Sequence, residues 1–229
     1  MSVEPPDGAA PHVLVDDVEV PVLAEDSLHH LARVRRLRDG EALTVTDGCG
    51  AWRPARFRGR AEVEPDGPVV VVPAPEPEVT VAFALTKSDK PELVVQKLTE
   101  LGVDRIVVFR ADRSVVRWDE AKAARQHQRL VAIARGACEQ SHRCWLPVVE
   151  RLTDVADLAA RGAVRLERGP VGISLARPVV AVGPEGGWSE AERDALPETA
   201  GLGPHVLRAE TAAITAGALL GAMRSGLGR

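Results

Sequence analysis

From residue 79 onward, short unbroken apolar runs alternate with longer segments whose apolar residues recur every three or four positions. The runs 79–85, 105–109, 164–167 and 178–182 have strand length and predict strands. The segments 91–101, 119–140 and 153–161 predict helices. The first of these carries Pro91 in its opening turn and Gly102 just past its end, the usual asymmetry of helix termini. Strands alternating with helices imply an α/β domain with a mainly parallel sheet. Before residue 73 the pattern is different. Short strand candidates lie at 12–15, 42–46, 52–57 and 69–72, and Asp47-Gly48 reads as a hairpin turn. One helix candidate, 28–37, places Leu28, Leu31, Val34 and Leu37 at near-helical spacing. This half therefore reads as a small β-barrel-like domain. Alternating prolines at Pro73, Pro75 and Pro77 make a stiff, extended connector. The expected division is a β domain at 1–72, a connector at 73–78 and an α/β domain at 79–229.

Two turns in the α/β half carry the candidate chemistry. The run ending at Val182 opens into Gly183-Pro184-Glu185-Gly186-Gly187, and a helix start follows. There Ser189 precedes Glu192 by three residues, the capping-box spacing. A second short strand is expected to end in Leu207-Arg208-Ala209-Glu210-Thr211-Ala212 and to lead into another helix. Glycines admit φ > 0 and close approach of a ligand, Pro184 stiffens one position, and free N–H groups at a helix start hold polar ligand groups. Turns at strand ends are where α/β sheets build small-molecule pockets. A tight strand-to-helix turn without a ligand accounts for the glycines as well. The spacing is neither G-x-G-x-x-G nor that of a P-loop, which disfavours a nucleotide phosphate. The last helix is rich in small residues, among them Ala213, Ala216, Gly217 and Gly221, which permit close packing.

Composition changes this picture in three places. A net charge of −4 is no footprint of a nucleic-acid partner, yet the charge is uneven. Arg33, Arg35, Arg36, Arg38, Arg53, Arg56, Arg58 and Arg60 share their segment with only Asp39, Glu41 and Asp47. Arginine forks suit phosphate oxygens, so RNA is the sharper reading and a solvated Arg-rich surface the plainer one. Cys49, Cys138 and Cys144 lack C-x-x-C spacing, which argues against a disulfide framework or a zinc site and fits a reducing, cytoplasmic setting. The polar, proline-rich first ten residues do not read as a secretory signal, and no apolar run reaches the roughly 18 residues of a membrane span. Leu196-Pro197-Glu198-Thr199-Ala200 looks like a cell-wall sorting signal. The apolar stretch after it is too short to span, so a helix end, a turn and a buried C-terminal helix are expected.

Further segments carry a resemblance. Gln96-Lys97-Leu98-Thr99-Glu100-Leu101-Gly102-Val103, Arg113-Ser114-Val115, Glu139-Gln140-Ser141-His142-Arg143 and His30-Leu31-Ala32-Arg33-Val34-Arg35-Arg36-Leu37 precede the two turns. Together they resemble the RsmE-type family of the SPOUT class, S-adenosylmethionine-dependent RNA methyltransferases. The resemblance spans nearly the whole chain. It implies a PUA-like RNA-binding β-barrel followed by a SPOUT-like parallel sheet with a trefoil knot in its last 50 or so residues. Pro11-His12-Val13-Leu14-Val15 stands where the family carries an arginine.

The implied reaction is methylation of N3 of one uridine in 16S rRNA of the small ribosomal subunit, by a homodimer. Implied catalytic residues are Arg208, for charge on the uracil carbonyls, and Glu210, for the N3 proton or as a cap of the following helix. The implied cofactor site runs from Leu166 through Val182, Gly183, Pro184, Glu185, Gly186 and Gly187. It continues through Leu202, Gly203, Val206, Leu207, Arg208, Thr211 and Ala212. Arg33, Arg36, Gln140 and Arg143 are the implied RNA contacts. Two other readings remain: a non-enzymatic RNA-binding protein with a degenerate pocket, and a dinucleotide-dependent enzyme. The second is disfavoured by the lateness and spacing of the glycine turn.

Overall fold

The computed structural model describes residues 10–24, 37–59, 62–86 and 90–227. The chain forms two compact units, Met1–Ala74 with Arg135–Leu146, and Pro75–Ala134 with Pro147–Arg229.

The first unit contains β1 (His12–Leu14), β2 (Ala42–Thr46), β3 (Ala51–Phe57), β4 (Val63–Pro65) and β5 (Val70–Val71). β1 pairs parallel with β2, β2 forms an antiparallel hairpin with β3, and β3 pairs antiparallel with β4 and β5. Alternation along β2 buries Leu43 and Val45 beside Val13, Ala55 and Phe57 in one apolar cluster. The expected helix at 28–37 lies, apart from Leu37, outside the described residues. β4 was not expected, because three residues ending in proline give no periodicity.

Residues 135–146 complete this unit. Leu14 N donates to Glu139 Oε1 (3.0 Å), Gly50 N to Cys144 O (2.8 Å), Leu146 N to Gly48 O (2.8 Å) and Trp145 Nε1 to Val72 O (3.0 Å). Gly50 sits at φ +103, and a Cβ there would lie 2.6 Å from the Trp145 ring. Glycine is thus required both by conformation and by the close approach of the indole.

The second unit is a six-stranded sheet in the order β11-β9-β10-β6-β7-β8, every pair parallel. Its strands are β6 (Thr80–Ala84), β7 (Arg105–Phe109), β8 (Val148–Val149), β9 (Val164–Leu166), β10 (Val179–Val182) and β11 (Thr199–Ala200). Its helices are α1 (Lys90–Glu100), α2 (Glu120–Gln140, as far as residue 134), α3 (Val155–Ala160), α4 (Glu190–Ala195) and α5 (Ala209–Arg224). β6, β7 and β10 are central and almost wholly buried, which is why each reads as an unbroken apolar run. Gly102 ends α1 at φ +85, and Asp119 Oδ1 accepts from Lys122 N at the start of α2.

The second short strand expected before Leu207 is not there. The strand of that region is β11, and residues 201–208 are irregular. Gly203 at φ +126 and Pro204 end any ladder, and a Cβ on Gly201 would meet Gly169 O at 2.5 Å. The sorting-signal look-alike resolves into the buried end of α4 at Leu196 followed by β11. The small residues of α5 serve packing on α1. A Cβ on Gly217 would lie 2.6 Å from Leu98 Cδ2, and one on Gly221 would lie 2.8 Å from Leu101 O. Arg224, at the helix end, holds Pro77 O, Gly102 O and the Asp104 carboxylate.

Candidate active site

The C-terminal ends of β10, β6 and β7 lie side by side, and the first glycine turn leaves β10 there. The capping box is formed. Ser189 N donates to Glu192 Oε2 (2.7 Å), and Glu192 N donates to Ser189 Oγ (3.2 Å). Glu192, 4% exposed, also accepts from Asp112 N (2.8 Å), and Ser189 Oγ donates to Asp112 Oδ2 (2.6 Å). This network fixes the loop after β7 against the turn, so that Arg113 Nη1 reaches Gly186 O (3.3 Å).

Of the three glycines in this turn only Gly187 has a positive φ, +71. Conformational freedom therefore does not explain the other two. A Cβ on Gly183 would stand 2.7 Å from the Trp188 ring, which is buried and stacked on Phe109 at 5.7 Å. A Cβ on Gly186 would stand 3.0 Å from Arg113 Cβ and 3.1 Å from Arg113 O. Both are glycine because neighbouring groups press on them.

At the C-terminal end of β9, the strand next to β10, lies a cavity of about 170 Å³, lined by Leu166, Glu167, Arg168, Leu202, Gly203, His205, Val206, Leu207 and Ala212. Six of the expected cofactor residues thus share one wall: Leu166, Leu202, Gly203, Val206, Leu207 and Ala212. Apolar side chains and one glycine suit the faces of a flat heteroaromatic ring, and the polar rim suits its hydrogen-bonding edge. Glu167 at that rim is held by Arg165 (2.7 Å) and Arg193 (2.9 Å). Val182 is buried in β10, and Gly183, Pro184, Glu185, Gly186, Gly187, Arg208 and Thr211 do not line the cavity.

Glu185 and Glu210 are instead joined through a residue the sequence reading did not select. Lys90 Nζ lies 3.2 Å from Glu185 Oε1 and 3.3 Å from Glu210 Oε1. These carboxylates raise the Lys90 pKa, the Glu185 hydrogen bond most. The other Glu210 oxygen, Oε2, is buried and has no partner among the described residues. A cation at the first position of a helix, opposed by the helix dipole, was the available sequence signal. Arg208 is the N-cap of α5 at φ −68 and ψ 155, with no side-chain cap bond, and its side chain is exposed. Arg113, Glu167, Arg168 and His205 were likewise not selected as site residues. Their roles depend on chain segments far apart in sequence.

Of the implied RNA contacts, Arg33 and Arg36 lie outside the described residues. Gln140 ends α2, exposed, and Arg143 follows it in the first unit. There Arg143 O takes a hydrogen bond from His12 Nε2 (3.1 Å). A carbonyl only accepts, so Nε2 carries the proton and Nδ1 accepts from Thr44 Oγ1 (2.7 Å). The expectation that the basic segment faces few acids needs correction. Arg53 pairs with Glu19, Arg56 with Asp66 and Arg58 with Glu64. The antiparallel register of β3 and β4 supplies two of these acids from outside the segment.

Residues 73–221 match the RNA methyltransferase domain family, and residues 23–60 match the RNA methyltransferase PUA domain family. A ribosomal RNA small subunit methyltransferase E of Mycobacterium bovis is 33% identical over 241 residues, covering 93% of this chain and 90% of the relative. A Legionella pneumophila methyltransferase solved with S-adenosylmethionine bound superposes with a TM-score of 0.81 at 27% identity, covering 93% of this chain and 98% of that one. A ribosomal RNA small subunit methyltransferase E of Neisseria gonorrhoeae, also bound to S-adenosylmethionine, gives 0.77 at 25% identity, with 92% and 96% covered.

Proposed function

This chain belongs to the RsmE-type family of small-subunit ribosomal RNA methyltransferases, and on that premise we propose that it methylates N3 of one uridine in 16S rRNA. It is an S-adenosylmethionine-dependent rRNA methyltransferase. The observation that carries the reading is the apolar cavity between the residues after β9 and the segment leading into α5. Its lining fits an adenine ring, and solved relatives of the same fold hold S-adenosylmethionine.

When bound, S-adenosylmethionine would supply a methyl group activated by its positive sulfonium, with a neutral thioether as leaving group. The residues of this chain do the rest. Glu210 accepts the N3 proton, leaving a lone pair on N3 for attack. Arg208, a cation just ahead of α5, stabilises negative charge spread over the uracil carbonyls. Leu166, Leu202, Leu207 and Ala212 cover the ring, with Val206 at the exposed mouth of the cavity, and the turn from Gly183 to Gly187 takes the methionine part of the cofactor.

The proposal extends to organisation. The division at 1–72, 73–78 and 79–229, with residues 135–146 joining the first unit, assigns RNA binding to a PUA-like β-barrel, with Arg33, Arg36, Gln140 and Arg143 as contacts, and catalysis to the parallel sheet. The last 50 or so residues thread a trefoil knot. The enzyme works in the cytoplasm as a homodimer, a reading supported by the exposed Leu219 and Met223 one turn apart on α5. Among the described residues no helix is long and apolar enough to cross a membrane.

The test has two arms. Thermal shift should register S-adenosylmethionine and S-adenosylhomocysteine but not NAD. Small subunits lacking the modification should then gain one methyl group at a uridine N3. A shift with NAD alone, or cofactor binding without methyl transfer, refutes the proposal.

A further inference from the structure

Resting on that reading, we propose that Lys90 is a positioning residue for methyl transfer, holding Glu210 in place by bridging it to Glu185. Lys90 is the first residue of α1, Glu185 lies in the turn after β10, and Glu210 lies in the first turn of α5. One ammonium group therefore ties together the two turns that frame the cofactor site. It meets Glu210 at Oε1, at 3.3 Å. The second oxygen is buried without a partner among the described residues. A carboxylate held at one oxygen, with the other kept out of water, is arranged for a donor that arrives with a ligand. The N3–H of a uracil is such a donor.

Stability does not account for the arrangement. A cation at a helix N-terminus is disfavoured by the dipole, and ion pairs as exposed as that with Glu185, 51% exposed, contribute little. Glu210 is different, at 16% exposed. Two further buried side-chain oxygens lack a partner among the described residues, Thr86 Oγ1 and Ser114 Oγ. They follow β6, which pairs with β10, and β7, the next strand beyond β6, and Arg113, next to Ser114, abuts Gly186. Unpartnered polar atoms thus follow the C-terminal ends of two adjacent strands of the sheet as well as standing at the start of α5.

The experiment compares the parent, Lys90→Met and Lys90→Arg. It uses calorimetric titration with S-adenosylmethionine, melting temperature, and steady-state methylation of small subunits lacking the modification. Lys90→Met should keep cofactor affinity and KM for the subunit within about threefold and lower kcat by at least about 30-fold, an effect on the transition state alone. Lys90→Arg, which keeps the charge, should recover most of that loss. A kcat within threefold of the parent overturns the proposal. So does a loss that Lys90→Arg does not relieve, or one that tracks cofactor affinity. Unfolding of Lys90→Met together with Lys90→Gln also overturns it. Absence of methylation by the parent would instead refute the proposed function.

Discussion

Replacing Arg208 with Ser should make the protein more stable and nearly inactive. Arg208 occupies the N-cap of α5 in the extended conformation that a capping residue adopts, yet its side chain makes no cap bond. A serine hydroxyl there can accept from an N–H of the first helical turn, worth about 1 kcal/mol. Removing a cation from the positive end of the helix adds about 0.3–1 kcal/mol at low ionic strength. No ion pair of Arg208 among the described residues is lost. In a chain of this size about 2–4 °C in Tm corresponds to each kcal/mol, so Tm should rise by several degrees. If Arg208 stabilises charge developing on the uracil carbonyls, turnover should fall by about 100-fold to 1000-fold, as for loss of one oxyanion-type donor. Scanning calorimetry and methyl incorporation into unmodified small subunits measure both quantities on the same preparation. A lower Tm would reveal a structural role for the guanidinium. Near-parental turnover at raised Tm would remove Arg208 from the chemistry.

Gly183→Ala forces a methyl group against the Trp188 ring, which Phe109 blocks from retreating. A loss of about 1–3 kcal/mol is expected, and an unchanged Tm would contradict it. Burial, the largest cause, pushes the His12 imidazole from 6.5 down to about 4. The unfolded chain therefore takes up this proton first, and stability falls as pH drops from 6.5 towards 4, by at most about 1.4 kcal/mol per pH unit. Denaturant titrations at pH 7 and pH 5 should show a shallower loss for His12→Gln than for the parent, and equal losses would discard the assignment. Replacing Arg33 and Arg36 together with Ala should weaken RNA binding and flatten its salt dependence while sparing cofactor affinity. Unchanged RNA affinity would move the RNA surface elsewhere.

What could be read in the sequence was what a single segment determines. β6, β7 and β10 announce themselves as apolar runs because both faces of each strand are covered. Ser189 with Glu192, and Gly102 after α1, mark helix ends because capping is local. β8 and β11 were invisible, since two residues carry no period. The reason for Gly183 and Gly186 was misread because crowding by Trp188 and Arg113 is a tertiary fact. Lys90 is not legible in the sequence for the same reason, its partner Glu185 lying 95 residues away. The arginines of β3 looked unopposed until the strand register placed Glu64 and Asp66 within their reach.

The membership of residues 135–146 in the first unit has a consequence for how the protein is made. The backbone of Leu14 is capped by Glu139, and the indole of Trp145 closes on Gly50 and Val72. Neither Glu139 nor Trp145 exists when residue 74 is synthesised. At on the order of 5–20 residues per second, the N-terminal strands wait several seconds on the ribosome before the segment that completes them has been translated. Through that interval the unit has its hairpin but lacks its clasp. Its maturation is therefore timed by the elongation of the chain that follows it.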